Sequence, residues 1–264
     1  MSKSKSKEEI QLHSQNAIKK ISDLLNSYIA SNDYATILKA DKLSYWLEDY
    51  AKFLDYEPNF KPDKLKKYKR GEIVKVHLGY NIGSEEGGLH YCVVLDKSNS
   101  IKNPVVTVVP LTSLKSSVDI NNLPLGTVYL GNSLYTAMFA KLSSLGTSYD
   151  KRVDTLDDEL TLLEKDLDAH KSINANLNNS ILQKAYEYKK EIEFLKQQEK
   201  FIKKVKNEAI KMNKGSLALV SQVTTVSKIR IYDPKTNFDI LSKIKLSNEN
   251  LNLIDDEFKK MYIK

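Results

Sequence analysis

Apolar residues recur at helical spacing over residues 7–31, where Ile10, Ala17, Ile21, Leu24, Leu25 and Tyr28 alternate with charged and polar positions. The same period returns after Asp41, a residue suited to cap a helix, and gathers Leu43, Trp46, Leu47, Tyr50, Phe53 and Leu54 on one face. Trp46, the only tryptophan, reads as packed core on that stripe. Pro58 and Pro62 then break the pattern, and Lys61–Arg70 forms a basic stretch in which Asp63 is the only acidic residue. This stretch reads either as a solvated connector or as a rim that contacts phosphates.

From Gly71 the period changes to alternation: Val74, Val76 and Leu78 face one way, Lys75 and His77 the other, as in a strand. A glycine-rich turn over residues 83–88 leads into a second strand at 90–96. Val105–Pro110 is a nearly continuous β-branched run with the character of a central strand. Gly126–Leu130 predicts a further short strand after the Leu123-Pro124 turn.

Residues 133–212 carry leucines at three- and four-residue spacing and almost no glycine. Leu156, Leu160, Leu163 and Leu167 make one seam, and Ala185, Tyr188, Ile192 and Leu195 another. Between them lies Asn174–Ser180, rich in poor helix formers. Residues 150–168 hold eight acidic and three basic groups, whereas 189–214 hold nine lysines and four glutamates. Folding back at the asparagines sets the acidic helix against the basic one, so the pattern predicts an antiparallel coiled-coil hairpin. One unbroken helix of about sixty residues is the alternative.

Gly215 ends this insert, and Ser216–Ser221 and Lys228–Tyr232 return to strand character. Ser247 caps a last helix with Leu251, Ile254, Phe258 and Met261 or Tyr262 on its apolar face. The expected fold class is therefore α+β. A small, strongly bent β-barrel or sheet from residues 70–131 and 215–233 carries helices at both chain ends and a helical hairpin inserted between strands. The expected divisions are 1–65 (N-terminal helices), 66–132 (first barrel part), 133–212 (inserted hairpin) and 213–264 (second barrel part and C-terminal helix).

Composition narrows the setting. Apolar content of 41% and charged content of 28% describe a soluble protein, and no apolar run approaches the roughly 20 residues of a membrane span. The start Met1–Lys7 reads as a basic, disordered segment rather than a secretory signal. Cys92 stands alone, which suits a reducing cytoplasm. The net charge of +7 favours a polyanionic partner, nucleic acid first, and the excess of lysine over arginine fits general attraction better than base reading.

Familiar catalytic motifs are missing. No lysine follows the last glycine of the 83–88 turn, which excludes a nucleotide P-loop, and the strand-like run after it excludes a dinucleotide fingerprint. His13, His77, His90 and His170 are scattered over different elements, and His90 with Cys92 gives at most two metal ligands, so no metal site is expected. A constellation remains. His90 begins a strand beside a turn bearing Glu85 and Glu86; Thr112 and Ser113 end the central strand; Gln222, Thr224 and Thr225 follow the returning strand. Each also has a structural reading as a rim histidine, a turn hydroxyl or a cap.

The run Lys69-Arg70-Gly71-Glu72-Ile73-Val74, followed by Gly83-Ser84-Glu85-Glu86-Gly87-Gly88, resembles the opening of PemK/MazF family toxins. The resemblance continues through Val105–Ser113, Leu123-Pro124, Gly126–Leu130 and Ser216–Ile231, leaving the first 65 residues and 133–212 outside the family pattern. It implies a small SH3-like, PemK-type barrel. It also implies a metal-independent endoribonuclease, an mRNA interferase-like toxin of a toxin–antitoxin system that cleaves single-stranded RNA by 2′-hydroxyl attack. The implied protein needs no cofactor, is cytoplasmic and homodimeric, and has an antitoxin protein as partner.

Carried over by position, the family's catalytic arginine falls on His90 and its catalytic threonine on Thr112. Arg70, Glu85, Ser113, Gln222, Thr224 and Thr225 would then bind substrate. The pattern departs at His90, at Tyr91 in place of proline, at Ser221 in place of glutamate and at Thr224 in place of arginine. An imidazole transfers protons near neutral pH better than a guanidinium but stabilises phosphorane charge less well. The alternative reading is a catalytically silent nucleic-acid-binding or regulatory protein on the same barrel.

Overall fold

The structure, a computed structural model, describes residues 5–170, 175–210 and 212–263, without the side chains of 168–170 and 175–178. The chain divides into two compact units, Met1–Phe60 with Leu78–Leu89, and Lys61–His77 with His90–Lys264.

The first unit is built on two helices. Helix α1 (Lys7–Ile29) opens with a capping box: the Ser6 hydroxyl accepts from the Glu9 N–H at 3.2 Å, and the Glu9 carboxylate accepts from the Ser6 N–H at 2.8 Å. Helix α2 (Tyr34–Tyr56) starts earlier than the sequence pattern predicts. Asp33, not Asp41, is its cap, accepting from the N–H groups of Ala35 and Thr36 at 3.2 and 3.1 Å and from the Thr36 hydroxyl at 2.8 Å. Asp41 lies one and a half turns or more inside the helix, where good helix formers on both sides outweigh its capping preference. Trp46 is half-buried rather than core. It stacks on Tyr50 with ring centroids 5.4 Å apart and approaches Phe53 at 6.2 Å, an aromatic ladder along one helix face. Of α2's apolar face only Ala40 and Leu43 are fully buried.

The second unit is an antiparallel sheet with helices packed on it. Its strands are β1 (Ile73–His77), β2 (Leu89–Val94), β3 (Val105–Ser113), β4 (Thr127–Tyr129), β5 (Ser216–Leu219), β6 (Thr224–Ser227) and β7 (Ile231–Asp233). The order is β4-β5-β3-β2-β1-β7, with β6 also on β3. Strand β3 is central, as its β-branched run predicts. It pairs with β2 through Cys92–Pro110, Val93–Val109 and Val94–Val108, and with β6 and β5 in succession. Pro110 is tolerated because it falls between the β6 ladder, ending at Val108, and the β5 ladder, starting at Leu111, where a 3-10 turn (Val220–Gln222) interrupts the partner strand. Strand β6 was not anticipated by the alternation pattern. Lys228–Arg230, expected as strand, is a 3-10 turn leading into β7.

Helices α3 (Ser133–His170) and α4 (Ala175–Ile210) form the antiparallel hairpin that the charge pattern predicts. Arg152 Nε meets Glu191 at 2.9 Å, and Leu156 packs with Ile192 and Leu195. The asparagine-rich break is narrower than expected: α4 already runs from Ala175, and residues 171–174 lie outside the described residues. The hairpin base is part of the main core. Leu134, Met138 and Leu142 of α3 and Ile202, Val205 and Ala209 of α4 join Ile73, Tyr91, Val93, Val109 and Leu111 of the sheet in one cluster. The final helix α5 (Asn248–Tyr262), capped by Ser247 as expected, adds Leu251 and Ile254.

The basic stretch before β1 is solvated only in part: Lys61, Lys64, Lys67 and Lys69 are exposed, whereas Lys66 and Tyr68 are buried. Lys66 is buried against Glu72, Nζ to Oε2 2.8 Å, and the Tyr68 hydroxyl donates to the Pro234 carbonyl at 2.7 Å. The ammonium groups of Lys66 and Lys228 lie 5.6 and 5.7 Å from the centre of the Tyr68 ring.

Candidate functional site

Side chains alternate across a strand, so the core cluster assigns the faces of β2 and β3. Tyr91 and Val93 of β2 and Val109 and Leu111 of β3 face that cluster. His90, Cys92 and Val94, and Val108, Pro110 and Thr112, therefore share the opposite face. The β2–β3 ladder ends at Cys92–Pro110, so His90 and Thr112 each lie two residues past its last pair, on one face by alternation and both half-buried. An imidazole and a hydroxyl on neighbouring strands can exchange a proton and hold an oxyanion.

The other residues singled out in the sequence do not gather there. Arg70, Thr224 and Thr225 line a cleft of about 450 Å³ together with Leu95, Thr107 and Phe258. The cleft lies beside Thr107, roughly 17 Å along β3 from Thr112 at about 3.4 Å per residue, and alternation puts Thr107 on the other face of the strand from Thr112. The Thr107 and Thr225 hydroxyls are 3.1 Å apart. Arg70 is engaged at this end: its guanidinium donates to the Leu95 carbonyl and to the Asp255 carboxylate on α5. Thr107 went unnoticed in the sequence, although a threonine inside an apolar strand is itself a signal, and Phe258 was read only as part of the last helix's apolar face. Ser113 sits in the β3–β5 ladder opposite Ser216, and Gln222 closes the 3-10 turn between β5 and β6.

Glu85 belongs to the first unit, where it has a local role. Its carboxylate accepts from the Ile82 N–H at 3.2 Å, and the Asn81 amide donates to the Glu86 carbonyl at 2.6 Å. Gly88 adopts a φ of +78°, and a Cβ on Gly87 would come within 2.8 Å of the Gly79 carbonyl oxygen. The glycines are thus required by the turn's own geometry.

Residue 91 is also functional in a structural sense. The Tyr91 hydroxyl donates to Glu208 on α4 at 2.8 Å, and Lys75 Nζ meets the same oxygen at 2.6 Å. Burial, together with the neighbouring Glu208 charge, pushes the Tyr91 phenol well above its ordinary range. Burial opposes the Glu208 charge, yet hydrogen bonds from Lys75 and Tyr91 prevail and hold the carboxyl below its usual value. Among the described residues no three His, Cys, Asp or Glu side chains converge as metal ligands, and no helix is long and apolar enough to cross a membrane.

Residues 69–161 match the family model of PemK-like, MazF-like toxins of type II toxin–antitoxin systems. The match takes in Arg70, Glu85, His90, Thr112 and Ser113 and runs into α3; it stops short of Gln222, Thr224 and Thr225. No curated protein matches the chain.

Proposed function

We propose that this protein is a metal-independent endoribonuclease, an mRNA interferase-like toxin of a toxin–antitoxin system built on a PemK-type barrel. The observation that carries the reading is the match of residues 69–161 to the toxin family, a segment in which His90 and Thr112 lie just past the last β2–β3 pair, on one face by alternation. His90 takes the proton of the ribose 2′-hydroxyl as that oxygen attacks the adjacent phosphorus. The Thr112 hydroxyl donates to a phosphate oxygen as the bond to the 5′-oxygen breaks, and that oxygen takes a proton from water, to which the His90 imidazolium returns the one it removed. Products are a 2′,3′-cyclic phosphate and a free 5′-hydroxyl, and no cofactor takes part. The substrate is single-stranded RNA in the cytoplasm. The protein acts as a homodimer restrained by an antitoxin, and the Arg70–Thr224–Thr225 cleft with Ser113 and Gln222 contributes to RNA binding.

One observation favours the silent nucleic-acid-binding alternative: Arg70 and Glu85, two of the groups expected on substrate, are engaged by protein partners. Incubation of the purified protein with a mixed RNA pool in EDTA separates the two. The nuclease yields 2′,3′-cyclic phosphate ends, and His90→Ala loses them by at least about a hundredfold. Salt-sensitive RNA binding without cut products would leave the silent reading standing.

A further inference from the structure

A second cleft, of about 440 Å³, opens where the hairpin meets β7, and it plays no part in the chemistry above. Five aromatic rings line it: Tyr149 from α3, Phe194 and Phe201 from α4, and Tyr232 and Phe238 from β7 and the segment after it. Phe238 is 91% exposed, and Phe194 and Tyr232 are more than half exposed, so three large rings stand in water around a concave site. Two carboxylates, Asp233 and Asp239, complete the wall.

The lining selects among ligand classes. The chain carries 41 Lys and Arg residues, yet none lines this cleft. A nucleic-acid backbone would therefore meet two carboxylates in the lining, and Lys75 at its edge is already paired with Glu208. Ring faces and carboxylates share one preference, for positive charge. The fold itself displays it at the edge of the cleft, where Lys75 Nζ lies 5.9 Å from the centre of the Tyr232 ring.

We propose that this cleft binds a cationic side chain, arginine above all, presented by an extended segment of a protein partner. A guanidinium stacks on the rings and meets Asp233 at the cleft wall, while the flanking peptide lies along Phe194 and Phe238. Asp239 serves mainly to shape the site, because its carboxylate accepts from the N–H groups of Lys235 and Thr236 at 2.6 and 2.9 Å. Asp233 is only 5% exposed and accepts a long hydrogen bond, 3.4 Å, from the Leu241 N–H. The other charges facing it are Asp239 on its own segment, Lys75 on β1 and Lys141 on α3. Lys75 is held by Glu208 and Lys141 donates to the Ser242 carbonyl at 2.7 Å, so both are already committed. Burial pushes the Asp233 carboxyl up to about 6, so an arriving cation meets a carboxylate that gains from its company above that pH and a neutral acid below it.

The test is fluorescence anisotropy of a short labelled peptide with one arginine in a glycine–serine background, added to the full-length protein. A citrulline peptide of the same shape is the control. We expect binding that weakens roughly tenfold with citrulline, in Phe238→Ala and in Asp233→Asn, and that falls as the pH drops from about 7.5 to 5. Phe238 is solvent-exposed, so its replacement leaves the fold intact and keeps the test decisive. Equal binding of the citrulline peptide, or undiminished binding in both variants, overturns the proposal. So does a single-stranded oligouridylate that loses affinity in Phe238→Ala and is not displaced by the arginine peptide.

Discussion

The Tyr91 hydroxyl and the Glu208 carboxylate are 2.8 Å apart although 117 residues separate them in the chain. With Lys75 on the same carboxylate, one side chain of α4 fastens both β1 and β2 to the helical hairpin. Glu208→Gln should destabilise the protein by about 1–3 kcal/mol, because the Lys75 ammonium is then left partly buried without its counter-charge. Tyr91→Phe should cost about 1 kcal/mol, the net worth of one hydrogen bond. Urea denaturation of the two variants and the double variant measures both values and their coupling.

The hairpin is not removable as a whole. Excising 133–212 takes Leu134, Met138, Leu142, Ile202, Val205 and Ala209 out of the main core. At roughly 1.5–3 kcal/mol for each large apolar side chain, the loss matches or exceeds the whole stability of a typical domain, and the shortened chain should not fold. Replacing only 160–188 by a tight turn keeps Arg152–Glu191 and the Leu156–Ile192–Leu195 cluster. That variant should retain cooperative thermal unfolding by circular dichroism.

The Lys66–Glu72 pair is buried on both sides, with side-chain exposures of 3% and 10%. Lys66→Met leaves Glu72 charged in the interior and should cost about 3–5 kcal/mol, whereas pairing it with Glu72→Leu should recover most of the loss. Unlike a surface pair, the wild-type contact should be nearly insensitive to added salt. Chemical denaturation at low and high ionic strength checks both statements.

Asp233 makes stability depend on pH with an unusual sign. Burial raises its carboxyl from 3.8 to about 6 in the folded protein. Between those values the folded state binds more protons than the unfolded one, so this residue's contribution is full below about pH 4 and is lost as the pH rises through 6. Asp233→Asn should abolish that slope and stabilise the protein at pH 7.5 by on the order of 2 kcal/mol. Melting curves of both proteins across that range provide the comparison.

Much of the local structure was legible because its causes are local. The 3.6-residue stripes of α1, α4 and α5, the Ser6 and Ser247 caps and the β-branched run of β3 all follow from interactions within a few residues. The opposite charges of the two long helices even indicated that they fold back on each other, as Glu164 and Lys189 do at 3.8 Å. The start of α2 was misplaced for the same reason: Asp33 and Asp41 are both competent caps, and only the hydrogen bonds that form choose between them.

By itself, then, the sequence determined the order and type of most elements, the α+β class, the inserted hairpin and the stretch that resembles a toxin. Tertiary structure alone decided which face each residue occupies and what it meets there. The alternation of β2 and β3 acquired a buried side only once the helices covered the Tyr91–Val109 face, which puts His90 and Thr112 on the other by alternation. The same packing drew Arg70, Thr224 and Thr225 to a separate cleft, buried Lys66 within a stretch that reads as solvated, and assembled five rings from distant segments around Asp233. The reason is physical: periodicity and capping act over one or two turns, whereas burial and ion pairing depend on residues that only the folded chain brings within a few ångströms.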